Sequence, residues 1–231
     1  MFSSIPAIDR IIRSRRRTLS IEIDSRGQVI VRAPKRAPIY WIHRIVREKA
    51  AWIQSKQSEI RNRLQSKIRP CFQPGETFLF QGKPYPLALD SAATESLSLR
   101  GGYFLLHPSC IADAGACFEG WYKKTAEAEI IQLVNRYATL SGETPERVKL
   151  SHAKKRWGSC TPKRTVLFNW RLIMAPTAVL EYVVAHEIAH LIIPDHSPRF
   201  WQKVGSLFPD FIAQRRWLRD NGSQLDWENG L

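Results

Sequence analysis

The four cysteines, Cys71, Cys110, Cys117 and Cys160, include no CxxC pair and have no regular spacing, which argues against a disulfide framework or a thiolate metal cluster. No stretch approaches the roughly 18 uninterrupted apolar residues of a membrane-spanning helix. The start, Met1-Phe2-Ser3-Ser4-Ile5-Pro6, runs into arginines without the apolar segment of a secretory signal. These absences together predict a soluble, cytoplasmic protein. There is also no glycine-rich phosphate loop, no internal repeat and no polar low-complexity tract. What is present, 44% hydrophobic residues with eight Trp and ten Phe in 231, suffices for an ordered core.

Acidic residues are scarce at the front of the chain. Residues 1 to 70 hold 17 Lys and Arg against 5 Asp and Glu, a net of +12, whereas the rest of the chain contributes only +2 of the total +14. Such a field attracts nucleic acid, nucleotides or other polyanions. It is also compatible with a merely solvated basic face.

The hydrophobic pattern predicts an α+β protein with a β-rich front and a helical back, divided as 1–115 and 116–231 or folded as one unit. Thr18 to Asp24 and Gln28 to Ala33 alternate about Ser25-Arg26-Gly27 as a hairpin. Pro38 then opens a long amphipathic helix reaching about Ser66. Segments within Thr77 to Leu89 and Leu97 to His107 predict a small antiparallel sheet of hairpins. A helix follows from Phe118 to about Ser141, closed by Gly142. Val148 to His152 and Thr165 to Asn169 are strands, separated by a loop containing Arg156-Trp157-Gly158-Ser159-Cys160. Pro176 opens the next helix, stopped near Ile193 by Pro194, and shorter helices follow from Ser197 and from Phe211 to Leu218.

His186-Glu187-Ile188-Ala189-His190 matches HExxH. On a helix, residues four apart lie one turn above each other, so both imidazoles reach one ion while Glu187 projects beside it as a general base on metal-activated water. Chance yields this pattern in about one such sequence in a hundred, so its setting matters. The preceding Val179 to Ala185 is strongly apolar, and two histidines and a glutamate buried there would be costly unless engaged. Catalytic zinc takes three protein ligands. His196 is the candidate third, six residues after His190, with a distant carboxylate as the alternative. Ile193 stands where the longer HExxHxxGxxH motif has glycine, and no Met-turn follows, so that motif does not apply.

In these features the chain resembles the YgjP-like metallopeptidase family, related to SprT-like zincins. The resemblance runs through Arg15-Arg16-Arg17-Thr18-Leu19-Ser20-Ile21, Val31-Arg32-Ala33-Pro34, Gly75-Glu76 and Gly82-Lys83-Pro84-Tyr85. It is most specific at Arg156 to Cys160, at Asn169 with Leu172, and from Tyr182 through His190 to His196-Ser197 and Phe200-Trp201. It implies a zincin-like core, an HExxH helix packed with other helices against a small sheet, with the basic β-rich part attached.

Beside the metal residues, Lys155 or Arg156 would stabilise negative charge on an intermediate, and Asn169 would orient a ligand histidine. Trp157 either serves the site or packs over the helix. Cys160 is read as packed rather than ligating, and His152 as a strand-end histidine. Three functions follow. The leading one is zinc-dependent hydrolysis of peptides or unfolded protein. The others are metal-dependent pyrophosphohydrolysis of a nucleoside triphosphate, and targeting to nucleic acid by the basic segment.

Overall fold

The computed structural model of the chain describes residues 6–24, 26–65, 70–153 and 156–225. Two compact units are present, Met1–Ile68 and Arg69–Leu231, each with its own hydrophobic core. The sequence pattern suggested a division after residue 115. The structure instead joins the segment from 77 to 106 to the second unit, because Phe78, Leu87, Phe104 and Leu106 enter the same core as the helices that follow.

In the first unit, β2 (Ser20–Ile23) and β3 (Val29–Pro34) form the expected hairpin, pairing Ile21 with Val31. A further strand, β1 (Arg10–Ser14), lies parallel to β3 and had no clear alternation to reveal it. Ile11 pairs with Val31 on the face that also carries Val29 and Ala33, all three β3 residues fully buried. The expected long helix is two, α1 (Ile39–Glu48) and α2 (Ala50–Gln65). They are interrupted at Lys49, whose φ of −98° and ψ of 11° leave the helical range. The local sequence Glu48-Lys49-Ala50 contains no helix breaker, so nothing local foretells the interruption. Ile42, Val46 and Ile53 complete this small core. Ser25 and Ser66, named above in the turn and at the helix end, lie outside the described residues.

The second unit opens with four short strands, β4 (Thr77–Phe80), β5 (Lys83–Leu89), β6 (Leu97–Arg100) and β7 (Tyr103–Leu106). Their order is β4-β5-β7-β6. The two hairpins are antiparallel as expected, but β5 and β7 pair in parallel, Leu87 with Phe104, so the sheet is mixed. Phe104 and Leu106 are fully buried, which favours a central place for β7 and leaves β6 at the edge. The β4–β5 turn is tied to the chain ahead of the next helices. Gln81 N donates to Ile173 O at 2.9 Å and Gly82 N to Met174 O at 3.0 Å. Gly82 has φ 78°, and a Cβ there would come within 2.8 Å of the Pro176 ring, so only glycine fits without strain.

A 3-10 turn, Pro108–Asp113, leads into α3 (Ala114–Ser141). Ala114, Phe118, Tyr122, Ala126, Ile130, Val134 and Ala138 recur every four residues and are buried along its length of about 42 Å. Gly142 closes it in the left-handed conformation, its N–H bonded to Ala138 O.

Three strands follow. β8 (Arg147–Ser151) pairs in parallel with β10 (Thr165–Asn169), and β9 (Gly158–Cys160) lies antiparallel at the other edge of β10. Part of the expected loop is therefore itself a strand. A 3-10 turn from Trp170 to Met174 buries Trp170, Leu172, Ile173 and Met174, each large side chain of this kind stabilising by about 1.5–3 kcal/mol.

Helix α4 (Thr177–Ala189) starts after Pro176 and is buried nearly all round, at Val179, Leu180, Tyr182 to Ala185 and Glu187 to Ala189. α5 (Pro198–Leu207) and α6 (Phe211–Asn221) pack against it. Among the described residues no helix is long and apolar enough to cross a membrane.

Candidate metal centre

The last turn of α4 presents His186 and Glu187, and His190 caps the helix. The chain then tightens, with Leu191 N on Ile188 O and Ile193 N on Ala189 O, both at 3.0 Å. Pro194 ends the helical path. Asp195 Oδ1 accepts from Ser197 N at 2.9 Å, a short Asx turn that carries His196 back over the helix.

As a result His186, His190 and His196 each bring a ligand atom within 4.8 Å of the others. Among the described residues this is the one group of three or more His, Cys, Asp or Glu side chains that converges in this way. Phe200 of α5 supports the group, stacking on His190 at a centroid distance of 4.3 Å, and Trp201 stacks on His196 at 5.7 Å.

The donor set fits a metal ion. His190 Nδ1 lies 3.1 Å from Ile193 O, and since a carbonyl only accepts, the nitrogen donates. In a neutral ring that leaves the lone pair on Nε2. His186 Nε2 and His196 Nε2 are 3.2 Å apart. Two nitrogens at about 2.0–2.1 Å from one tetrahedral zinc are separated by about 3.3 Å. Burial, followed by the neighbouring histidines and Arg215, pushes His186 down to about 3, and burial also lowers His190. The rings of these two therefore stay neutral near pH 7, as metal ligation requires.

Glu187 is 5% exposed and its Oε2 is buried without a hydrogen-bond partner, as is His186 Nδ1. Burial pushes the carboxyl up to about 8, opposed by the charge of Arg156. The space for this carboxylate is made by Gly158. A Cβ on Gly158 would overlap the Glu187 side chain, at 2.7 Å from Cγ and 2.8 Å from Cδ. Edge strand β9 thus lies directly against the helix that carries the histidines. A cleft of about 680 Å³ opens between them, lined by Gly158 to Pro162, Arg164, His186, Glu187, His190, Leu191, Pro194 and His196.

The other residues named from the sequence are distributed less simply. Arg156, Trp157 and Gly158 line a smaller recess of about 230 Å³ with Tyr182, His186, Glu187 and Leu218. The Trp157 ring packs against Gly222, where a Cβ would come within 2.9 Å of it. Asn169 is buried, but its side chain bonds Ala153 O at 3.1 Å, Arg156 O at 3.5 Å and Arg171 N at 3.0 Å. None of these partners is a histidine: Asn169 holds the Arg156 loop and caps the following 3-10 turn. Lys155 lies outside the described residues. Cys160 lines the cleft with its thiol pushed up by burial, and His152 lies 3.7 Å from Glu119.

Two residues at the site were not assigned a role from the sequence. Gly158 was visible only within a family-like motif, and nothing distinguished Arg215 from its neighbour Arg216. Yet Arg215 lies over the Trp201 ring at 4.5 Å, and its charge acts on His186 and Tyr182.

Converging histidines beside a buried glutamate are the features of a metal-dependent hydrolase centre. The comparisons narrow that class: the YgjP-like metallopeptidase domain matches residues 17–221, and the chain belongs to this family. It is therefore a metallopeptidase, which implies a metal ion and a peptide or protein substrate. Among solved structures, the metallopeptidase zymogen of Pyrococcus abyssi abylysin is similar over 43% of this chain and 99% of its own, at 19% identity and a TM-score of 0.37. No curated protein matches the chain.

Proposed function

We propose that this metallopeptidase is a zinc enzyme of zincin type, with His186, His190 and His196 as ligands and Glu187 as general base. The carrying observation is the convergence of three histidine donors within 4.8 Å beside the unpartnered Glu187 Oε2. Zinc, when bound, supplies Lewis acidity to water and to a carbonyl. Glu187 takes a proton from the attacking water as its oxygen bonds the peptide carbon. It delivers that proton to the amine nitrogen as the C–N bond breaks. Arg156, whose charge acts on Glu187, offsets part of the burial that raises the carboxyl and so acts in the direction this role needs.

The substrate form that fits is an extended peptide. β9 is an edge strand that lines the cleft, and a strand edge recognises a peptide through main-chain hydrogen bonds. The phosphoanhydride reading gains no comparable support. Arg164, the cation lining the cleft, is engaged by Glu143 at 2.6 Å and by Thr144 O at 2.9 Å.

The test has two arms. Purified wild type and Glu187→Gln are expected to hold about one zinc per chain, while His186→Ala holds much less. Wild type cleaves an unfolded protein and Glu187→Gln does so at least about a hundredfold more slowly. Equal cleavage by the two, or equal zinc in His186→Ala, overturns the assignment.

A further inference from the structure

The histidines of the metal centre belong to the second unit, whereas the positive charge of the sequence is concentrated in the first. Residues 1 to 68 hold 16 Lys and Arg against 5 Asp and Glu, and the fold sorts these charges. Because β1 and β3 are parallel and Ser14 pairs with Pro34, the segments leaving both strands lie side by side. One is Arg15-Arg16-Arg17 and the other Lys35-Arg36. Ser14 O accepts from Arg16 N at 2.9 Å and from Lys35 N at 3.1 Å, joining the two. Arg13 Nη1 donates to Lys35 O at 3.0 Å and to Ala37 O at 2.7 Å, which orders its guanidinium at the same end.

Helix α1 starts just beyond. Its first turn has no acidic residue and no side-chain cap, so its free amide groups add to the positive field. That turn displays Tyr40, 72% exposed.

The described carboxylates of this unit are engaged elsewhere. Asp9 Oδ2 accepts from Val29 N at 2.6 Å, and Asp24 Oδ1 from Arg26 N and Gln28 N at 2.9 Å each, at the opposite end of the sheet. Glu22 is paired with Arg32 at 2.8 Å, and Glu48 with Arg44 at 3.7 Å in the last turns of α1. An ordinary solvated surface mixes its signs, whereas here Arg13, Arg15, Arg17, Lys35 and Arg36 are exposed together.

We propose that this end of the N-terminal unit docks single-stranded nucleic acid, with the arginines on successive phosphates and Tyr40 stacked on a base. Four of the five exposed cations are arginine, whose planar fork matches phosphate oxygens. An exposed aromatic beside a cationic track is what unpaired bases require. A membrane surface fits less well, since an interfacial helix must offer its apolar face, and α1 buries Ile42 and Val46 in its own core. An acidic peptide would use the arginines but not the ring.

The full chain is titrated with labelled single-stranded DNA and RNA of about 16 nucleotides, across a salt series. Binding is expected with at least one of the two, its logarithm falling with log salt by about 0.7 per phosphate contacted. The triple variant R15E/R17E/R36E raises Kd more than about tenfold, and Arg15→Glu and Arg36→Glu singly by about threefold. The single variants keep the test valid if the triple variant is unfolded by circular dichroism. Tyr40→Ala weakens binding about fivefold or more, while Tyr40→Phe does not. No binding to either oligonucleotide at about 50 mM salt, or a Kd indifferent to these substitutions, overturns the proposal. So does tighter binding to phosphatidylserine vesicles or polyglutamate than to either oligonucleotide.

Discussion

Glu187 and Gly158 form a pair in which one residue exists to make room for the other. The carboxylate is 5% exposed, and the nearest backbone opposite it has no side chain. Gly158→Ala therefore forces the carboxylate or β9 to shift, because the methyl would overlap the buried Glu187 side chain from Cγ to the carboxylate. Overpacking of this kind costs about 1–3 kcal/mol, and a shift of about 1 Å at a reacting group reduces turnover by about a hundredfold. The expected result is a variant that keeps its metal ion but cleaves unfolded protein about a hundredfold more slowly. Full activity in Gly158→Ala would show that Glu187 tolerates displacement and would remove the steric argument. The residue types at the centre were legible from HExxH and from His196. The neighbour that shapes the space around them was legible only as part of the Arg156 to Cys160 resemblance, because Gly158 lies 29 positions before Glu187 in the chain.

At the scale of elements, α4 was the most legible part of the chain. Proline marks both of its ends, and an unbroken apolar run signals a helix buried on all sides. Beta pairing was less legible. Alternation predicts a strand, but not its neighbour, so the parallel β1–β3 and β5–β7 contacts emerged only in the folded sheets. Asn169, at the end of β10, illustrates the same limit. Its residue type suggested a partner for a histidine, yet its amide ties Ala153 O and Arg156 O to the 3-10 turn. Asn169→Ala is expected to lose about 1–3 kcal/mol of stability through these buried, unsatisfied groups, as read by urea unfolding. A change below about 0.5 kcal/mol would mean that water or loop movement replaces the lost bonds.

For the whole molecule, the contact between α3 and α4 links global stability to pH. Tyr137 of α3 donates its hydroxyl to Glu181 Oε2 of α4 at 3.2 Å, and Arg136 lies 3.6 Å from the same carboxylate. Burial, then the charge of Glu181, pushes the phenol from about 10 to about 12. Burial also raises Tyr122, whose hydroxyl donates to Leu79 O at 2.7 Å. A folded-state value above the unfolded one favours the folded state while the phenol stays protonated. The contribution is complete below about pH 10 and is lost as pH rises through about 12. Urea midpoints are therefore expected to fall across that window, and less steeply in Tyr137→Phe. An identical slope in the variant would place the alkaline sensitivity in another group.

The sequence by itself determined the α+β class, the apolar helix with its two histidines and glutamate, the third histidine after the proline, and the concentration of positive charge at the front. Each rests on a local period, a local stop signal or a simple count. Tertiary structure decided what those features meet. It placed the division into compact units at 68/69, because the strands from 77 to 106 share the core of α3. It set Gly158 against Glu187 and Arg215 over Trp201. It also gathered the arginines after β1 beside the cations after β3. These outcomes depend on contacts between residues far apart in the chain, which no local pattern specifies.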